Sequence, residues 1–210
     1  PSRSRDGPQE FLKNWSGYLQ ADAFGGYDGL YAGQAGGHVT EVACWAHARR
    51  KFYEARTSDV AVSTQALAYI RLLYDVEDAA KEQFAQQDPA AHRPLSAFRL
   101  ALRQELAVPR LQQFHAWLQS QQAQHGGPVL PKSPLGEALT YTFNQWDALT
   151  VYTRDGDLAI DNNASETALR RVALGRKSRV GEEDCSSSPL TDPDVQISRI
   201  RFFIGQVRSR

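Results

Sequence analysis

Two acidic residues, Asp22 and Glu166, occupy positions where a carboxylate can do chemistry. Asp22 follows the run at residues 17–21, which is typical of a short buried strand. Glu166 falls in the first turn of a predicted helix, on the face it shares with Leu169 and Ala173. Enzymes that cut nucleic acids with two metal ions hold the ions roughly 4 Å apart with such carboxylates. The expected ion is Mg²⁺ (or Mn²⁺), because magnesium takes few carboxylates and keeps waters that substrate phosphates displace.

Each of these acids also has a simpler interpretation. Asn163 and Glu166 stand in the spacing of a capping box, in which the Glu166 carboxylate accepts a hydrogen bond from the Asn163 backbone amide. Asp22 has the type and position of a strand-end residue that caps the next turn. The residues alone leave both interpretations open. Since the two acids are far apart in sequence, only the fold can bring them together.

A second candidate is the pair Cys44 and His47, which has the Cys-x-x-His spacing of some zinc ligands. A closed structural zinc site needs four ligands, and the other cysteine, Cys185, lies in a polar tail. His38 is a weak candidate for a further zinc ligand, because its spacing from Cys44 and His47 is not typical of zinc sites. We therefore expect Cys44 to be buried as a small apolar residue and His47 to form hydrogen bonds near the acids.

Nucleic-acid binding, if present, has to come from local basic clusters, because the chain has 24 Lys and Arg residues against 24 Asp and Glu residues. Two such clusters follow the motifs above. Two interpretations stay open for these clusters: they bind phosphates, or they form basic helix faces that only contact solvent. The candidate DNA-binding residues are Arg49, Arg50, Lys51, Arg170, Arg171, Arg176 and Lys177.

The elements that must position these residues follow from the apolar pattern. Strands are predicted at 17–22 and 38–45, and a helix at 46–56. Long helices follow from Ser58 or Asp59 onward, with a break expected at Pro109 and a new helix starting at Ser133-Pro134. A third helix is predicted to run through to Leu149, before a turn returns the chain to the acidic motif. Two strand-containing segments thus flank a helical block.

The composition limits the setting. Two cysteines give no disulfide framework, which favours a reducing cytoplasm. We find no signal peptide and no apolar run near the length of a membrane span. The chain contains no methionine and opens on Pro1, which suggests a fragment or a processed piece.

Five motifs follow one another along the chain: Gly17-Tyr18-Leu19-Gln20-Ala21-Asp22, Cys44-Trp45-Ala46-His47, Leu73-Tyr74-Asp75-Val76-Glu77, Ser133-Pro134-Leu135-Gly136 and Asp161-Asn162-Asn163 through Glu166. Together and in this order, they resemble the motifs of the insertion sequence 66 family of bacterial transposases. The match at the last motif continues to Gly175-Arg176-Lys177. Several motifs over about residues 4–178 make this resemblance far more specific than any single motif would.

The resemblance implies an α/β fold, a partial ribonuclease-H-like core of few strands with a large helical insertion. It implies metal-dependent cleavage and transfer of DNA strands by an Asp-Asp-Glu triad, with Asp22 as second acid and Glu166 as third. Asp161 is then an auxiliary acid, and Cys44 and His47 support the core. The implied segments are 1–57 with the second acid, the insertion at 58–153, the third-acid helix at 154–178 and a divergent tail at 179–210.

Two departures from the family pattern shape the functional expectation. The family's first acid has no match before Asp22, where Asp6 stands in a polar stretch, and the tail after Ser178 does not resemble the family. A truncated or frameshifted copy would account for that tail and for the missing methionine. We therefore expect a cytoplasmic transposase-core fragment that has little activity alone. Its expected partners are the insertion-sequence ends, target DNA and an intact transposase in a homo-oligomer, and no membrane is involved. The alternatives are a non-catalytic fragment that binds DNA or a transposase, and an unrelated helical domain.

Overall fold

The computed structural model describes Glu10, residues 12–20, 27–32, 37–124 and 132–164, Thr167, and the backbone of 205–208. These residues are mainly helical, with one small sheet. The chain divides into two compact units, one formed by Pro1–Glu41 with Asp161–Arg210 and the other by Val42–Ile160. No helix within the described ranges is long and apolar enough to cross a membrane.

The first unit contains most of the sheet. Its strands are β1 (Gly17–Gln20), β2 (Val39–Val42) and β3 (Gly205–Arg208), in the order β2-β1-β3. Strand β1 pairs antiparallel with β3, and the register shifts between the pairs Tyr18–Arg208 and Gln20–Gly205. A single-turn helix, α1 (Asp28–Tyr31), precedes β2.

A small apolar core supports this sheet. Leu12, Leu19, Leu30 and Val39 are buried together, and partly buried aromatic residues pack against them. The Gly17 amide donates to the His38 carbonyl at 3.0 Å, which joins the beginnings of β1 and β2. The aromatic residues at the edge of this core are Trp15, Tyr27 and Tyr31.

The second unit is helical, and its helices begin where cap residues predict. The Asp59 side chain accepts from the Val62 amide at 2.9 Å and starts the longest helix. The Ser133 hydroxyl accepts from the Gly136 amide at 2.9 Å, with Pro134 at the first helical position. Both cap predictions are confirmed. The helices are α2 (Trp45–Ala55), α3 (Val60–Gln86), α4 (Leu95–Leu102), α5 (Val108–Gln124), α6 (Pro134–Asn144) and α7 (Trp146–Thr150).

The second strand is shorter than predicted. It ends at Val42, and Trp45 already belongs to α2. The cause is a change of hydrogen-bond partner, because the Ala43 amide donates to the Ala148 carbonyl at 3.0 Å and the Trp45 amide to the Ile160 carbonyl at 3.2 Å. These amides therefore leave the sheet ladder and bond to carbonyls within the helical unit.

Two helix boundaries also differ from the prediction. The break expected at Pro109 is a change of helix type and not an interruption, because Arg103–Ala107 is π-helical and helical backbone continues from Leu95 through Pro109 to Gln124. A π-helical turn before a proline alters the hydrogen-bond pattern where the proline cannot donate. The predicted third helix is divided at Gln145 into α6 and α7.

The core of the helical unit is aromatic, and Phe114 of α5 is at its centre. Its ring centroid lies 5.0 Å from that of Tyr69, nearly parallel, and 6.1 Å from that of Trp45. Trp45, Phe52 and Phe114 are almost completely inaccessible to solvent. Further rings within 6.4 Å of Phe114 are those of Phe52, Trp117 and Trp146.

A mostly helical chain with one small sheet agrees with the coarse prediction of an α/β protein with a helical insertion. The ribonuclease-H-like arrangement of the core stays a prediction. So do the functional boundaries at 57, 153 and 178, which do not follow the division at Val42 and Ile160 into compact units.

Candidate active-site region

The two predicted catalytic acids, Asp22 and Glu166, lie outside the described residues. The basic residues Arg170, Arg171, Arg176 and Lys177 lie outside them as well. The distance between the two carboxylates therefore stays a prediction. The structure does describe three neighbouring parts of the sequence. They are the segment that leads into the third-acid motif, the Cys-x-x-His motif and the basic face of α2.

Asp161 opens the third-acid motif with a local cap. Its Oδ1 atom accepts from the Asn163 amide at 3.1 Å, and its Oδ2 atom accepts from Asn163 Nδ2 at 2.9 Å. Helical backbone begins at Asn163. A carboxylate that binds an amide at the start of a helix favours helix formation there. Asp161 thus has a structural contact of its own, while the predicted capping box between Asn163 and Glu166 falls outside the described residues.

The Cys-x-x-His motif forms the beginning of α2. Cys44 is fully buried and precedes the first helical residue, and the His47 amide donates to its carbonyl at 3.2 Å. Among the described residues, no group of three or more His, Cys, Asp or Glu side chains is arranged to hold a metal ion. The side chain that anchors the motif is Trp45, which is fully buried and donates from Nε1 to the Leu149 carbonyl at 2.9 Å.

The basic residues of α2 differ in their availability. Arg49 and Arg50 are exposed, and Arg50 Nε lies 3.0 Å from an exposed Glu54 carboxylate. An exposed pair of this kind contributes little stability, so a phosphate can compete for the guanidinium. Lys51 is half-buried, with Nζ 5.2 Å from the Tyr141 ring centroid. Arg49 and Arg50 are therefore the members of this cluster that reach solvent freely.

Sequence reasoning missed the most heavily bonded side chain of the helical unit, Arg103. Its side chain is 0% exposed, and it pairs with a Glu77 side chain that is 6% exposed. The two bonds between them, at 2.7 and 2.8 Å, form a bidentate ion pair. In α3, Glu77 interrupts an apolar stripe, because it shares a helix face with the buried Ile70, Leu73 and Ala80. A lone carboxylate in such a stripe was the available signal that a buried cation faces it.

The remaining Arg103 donors hold the chain that follows α7. They bind the carbonyls of Tyr152 and Asp155 at 2.8 Å and that of Leu158 at 2.9 Å. All five guanidinium N–H groups are thereby used, which is how a buried arginine avoids the cost of unsatisfied donors. We call Arg103, Glu77 and these three carbonyls the Arg103 clamp.

Two further contacts fix the same stretch. A Cβ at Gly156 would overlap the Ser96 carbonyl, so the glycine permits the loop to lie directly against the start of α4. The Ile160 carbonyl accepts from the Trp45 amide. Residues 152–160 are therefore held by buried contacts along their length, and this stretch ends immediately before Asp161 in sequence.

The clamp also sets the state of Tyr152. Burial raises the pKa of its hydroxyl strongly, the Glu77 carboxylate raises it further, and the Arg103 guanidinium opposes them. Its ring centroid lies 4.9 Å from the Arg103 guanidinium carbon. Tyr152 is consequently neutral at any physiological pH and serves as an aromatic surface for the cation.

Comparison with known proteins identifies the family. The family model described as "Transposase IS66 family" matches residues 1–183. The "Uncharacterized protein y4hP" of Sinorhizobium fredii is 29% identical over 189 residues, covering 83% of this chain and 32% of that protein. The "Uncharacterized protein y4qI" of the same organism is 30% identical over 181 residues, covering 83% of this chain and 31% of that protein.

The chain thus spans about a third of the length of these curated relatives. No solved structure matches it. The family model, however, covers most of the chain, from the first strand through the third-acid motif. The chain belongs to the IS66 family of transposases.

Proposed function

We propose that this chain is the part of a transposase that carries two of its catalytic carboxylates, and that it acts in metal-dependent cleavage and transfer of DNA strands. Asp22 and Glu166 would bind Mg²⁺ or Mn²⁺, which supplies an activated hydroxyl and stabilises the leaving oxygen. The observation that carries the proposal is the family match over residues 1–183, which includes both acids.

The described structure supports the proposal through the approach to Glu166. Catalytic carboxylates have to be held by elements whose own position is fixed. The Arg103 clamp fixes the backbone of residues 152–158, and the Ile160 carbonyl is bound by the Trp45 amide. The chain therefore enters the Asp161 cap from a rigid segment.

DNA contact is assigned to the basic clusters. Arg49 and Arg50 are exposed on α2, while Arg170, Arg171, Arg176 and Lys177 follow Glu166 in sequence. Contacts of such residues with phosphates position the DNA without reading its sequence. The proposed partners are insertion-sequence ends and target DNA, together with an intact transposase in a homo-oligomer.

We further propose that the chain by itself cleaves DNA weakly. An Asp-Asp-Glu site needs three acids. The only acids before Asp22 are Asp6 and Glu10, and neither matches the family's first acid. Incubation of the purified chain with supercoiled plasmid and Mg²⁺ should give little nicking. Robust nicking that Glu166→Gln abolishes would show that the chain has a complete site.

Metal binding tests the assignment of the acids independently of turnover. Mn²⁺ titration followed by calorimetry should show a site that Asp22→Asn and Glu166→Gln each weaken at least about tenfold, as loss of a direct ligand does. The control is Asp78→Asn, which removes an exposed carboxylate of α3. If Glu166→Gln leaves the Mn²⁺ affinity at the level of the control, Glu166 is a helix cap and the proposal fails.

A second candidate function, DNA binding without catalysis, is favoured by the exposed arginines of α2. It predicts binding to nonspecific duplex that weakens steeply with salt. Changing Arg170 and Arg171 to Ala should lower the affinity and reduce the salt slope by about one for each phosphate that the arginines bind. Salt-independent binding would contradict it.

A further inference from the structure

The helical unit has a cleft of about 380 Å³ between α5 and the chain at α7 and just after it. This volume falls within the range of small-molecule sites. Its floor includes the buried Leu111, and its rim includes Ala116, which is exposed. None of the predicted acids or DNA-binding arginines lines it among the described residues, so its lining has to be explained separately.

One wall of the cleft is aromatic. The ring centroids of His115 and Trp146 lie 4.5 Å apart, and both side chains are half-buried cleft residues. Trp146 is fixed from behind, because its ring meets those of Trp45 and Phe114 edge-on at 6.1 Å. The wall therefore consists of two rings inclined at 36° to each other, and the Trp146 ring, held by the core behind it, offers an aromatic face to a planar ligand.

The rim carries hydrogen-bonding groups and one positive charge. Gln112, Gln119 and Arg154 line the cleft and are exposed. Arg154 is the one charged residue that the described structure places in the lining. The ligand this lining suits is planar and apolar on its faces, has polar edges and carries a negative charge.

The cleft is also built on the rigid part of the unit. The backbone carbonyl of Thr153, a lining residue, accepts from Gln104 Nε2 at 2.7 Å. The neighbouring Tyr152 carbonyl belongs to the Arg103 clamp. The backbone next to Arg154 is therefore fixed before any ligand binds. Because such a site is preformed, less conformational entropy is lost on binding.

We propose that this cleft binds one unpaired nucleotide of a DNA substrate, with the base against His115 and Trp146 and a phosphate at Arg154. A nucleotide has each property of the ligand the lining suits. The base has to be unpaired, because a base inside a duplex does not expose its faces to a side chain. This inference rests on the proposed function, since it takes DNA as the substrate and adds a place where the helical unit holds it.

Filling the cleft from its rim tests the proposal without removing core aromatic residues. Ala116→Trp places a large side chain in the cleft from an exposed position, so it should not affect folding. The matched control is Ala68→Trp, at an exposed position of α3 that is not part of the lining. Binding of a fluorescein-labelled ten-nucleotide oligo(dT) strand, measured by anisotropy, should weaken about tenfold or more for Ala116→Trp, as loss of one stacked base does, and remain unchanged for Ala68→Trp.

A charge variant tests the other end of the ligand. Arg154→Gln should weaken binding of the single strand and lower its salt slope by about one. Arg71→Gln, which removes the same charge from an exposed pair with Asp75 on α3, should have a smaller effect. Equal effects of the two variants would mean that Arg154 acts only through net charge and would overturn the assignment of the phosphate.

The outcomes separate this inference from the proposed function. Binding of single strands that Ala116→Trp does not weaken overturns the inference, while duplex binding and Mn²⁺ binding by Asp22 and Glu166 would still support the function. Binding of free thymidine monophosphate as tight as that of the oligonucleotide would mean a mononucleotide site and would overturn the assignment to DNA. Loss of all DNA binding and of the Mn²⁺ site would remove both.

Discussion

At the scale of single residues, Arg103 shows how a buried charge organises a backbone. Its guanidinium is fully removed from solvent, and every N–H has a protein acceptor. Such a group contributes little net stability compared with an apolar side chain, but removing one partner leaves a buried charge without compensation. Its value to the protein is positional, because a planar fork with five fixed donors defines where three carbonyls lie.

Breaking the pair from either side should therefore destabilise the protein strongly. Arg103→Met should lower the free energy of unfolding by about 3 kcal/mol, because it leaves the buried Glu77 carboxylate with only a longer contact, to Arg99, whose Nε atom lies 3.5 Å from Glu77 Oε2. Denaturant unfolding followed by circular dichroism measures the change. The matched control, Arg71→Met, removes an exposed pair with Asp75 on α3 and should cost less than about 1 kcal/mol. Equal costs would contradict the account.

A double-mutant cycle should show that the cost comes from the charge left behind. With Glu77→Leu and Arg103→Met together, the loss should be smaller than the sum of the two single losses, because both charges of the bidentate pair are removed at once. Additive losses would mean that the two side chains act independently, which the bidentate geometry does not allow.

A second residue, Glu41 in β2, should make stability depend on pH. Partial burial raises its pKa above 4.5, and the Asp28 carboxylate raises it further. A carboxyl group that is protonated more readily in the folded chain than in the unfolded chain makes the folded state less stable as pH rises from about 4.5 through the raised pKa.

Glu41→Gln should consequently increase the free energy of unfolding at pH 7, and the gain should shrink as pH falls through the raised pKa toward 4.5, with little of it left below that pH. Thermal unfolding at several pH values measures this. Glu105→Gln, at an exposed position, is the control. A gain that stays constant down to pH 3 would show that burial of the charge is not the cause.

At the scale of elements, the sequence predicts helix starts well because their signals are local. Asp59 and Ser133 are identifiable as caps from the residues that follow them, and both accept the expected amide. Strand and helix ends determined by distant partners were not predictable. The early end of β2 follows from bonds of Ala43 and Trp45 to Ala148 and Ile160, more than a hundred residues later.

The Ser133 cap has a measurable value. The start of α6 is bonded twice, because the Leu135 amide also donates to the Ser58 hydroxyl at 3.1 Å. Ser133→Ala should lower the free energy of unfolding by about 1 kcal/mol. Ser120→Ala, an exposed serine within α5, should cost nothing, since alanine is the better helix former. A loss of the same size at both positions would argue against capping.

The candidate site shows the same division between local and distant information. The motifs point to Asp22, Glu166 and the Cys-x-x-His pair as local patterns, and Asp161 is found to start its helix. The clamp could not be derived, because Arg103 and Glu77 come from different helices and the carbonyls from a third segment. Trp45 was overlooked for a related reason, since nothing in the motif shows that its indole reaches the Leu149 carbonyl.

At the scale of the whole molecule, the chain combines a small sheet unit with a helical unit, and the acidic motif begins where the second passes into the first at Asp161. In the mechanism that we propose from family membership, Asp22 and Glu166 share a metal site. In a two-metal site the ions lie roughly 4 Å apart, and each lies about 2.0–2.1 Å from a carboxylate oxygen. These distances set the maximum separation of the two carboxylates.

The most direct test is the anomalous diffraction of a crystal grown with Mn²⁺. The account predicts a manganese peak within coordination distance of the Asp22 or Glu166 carboxylate, with the two carboxylates no more than about 8 Å apart, the span of two ions and their ligands. Carboxylates separated by clearly more than this, or manganese bound to neither, would contradict a shared metal site.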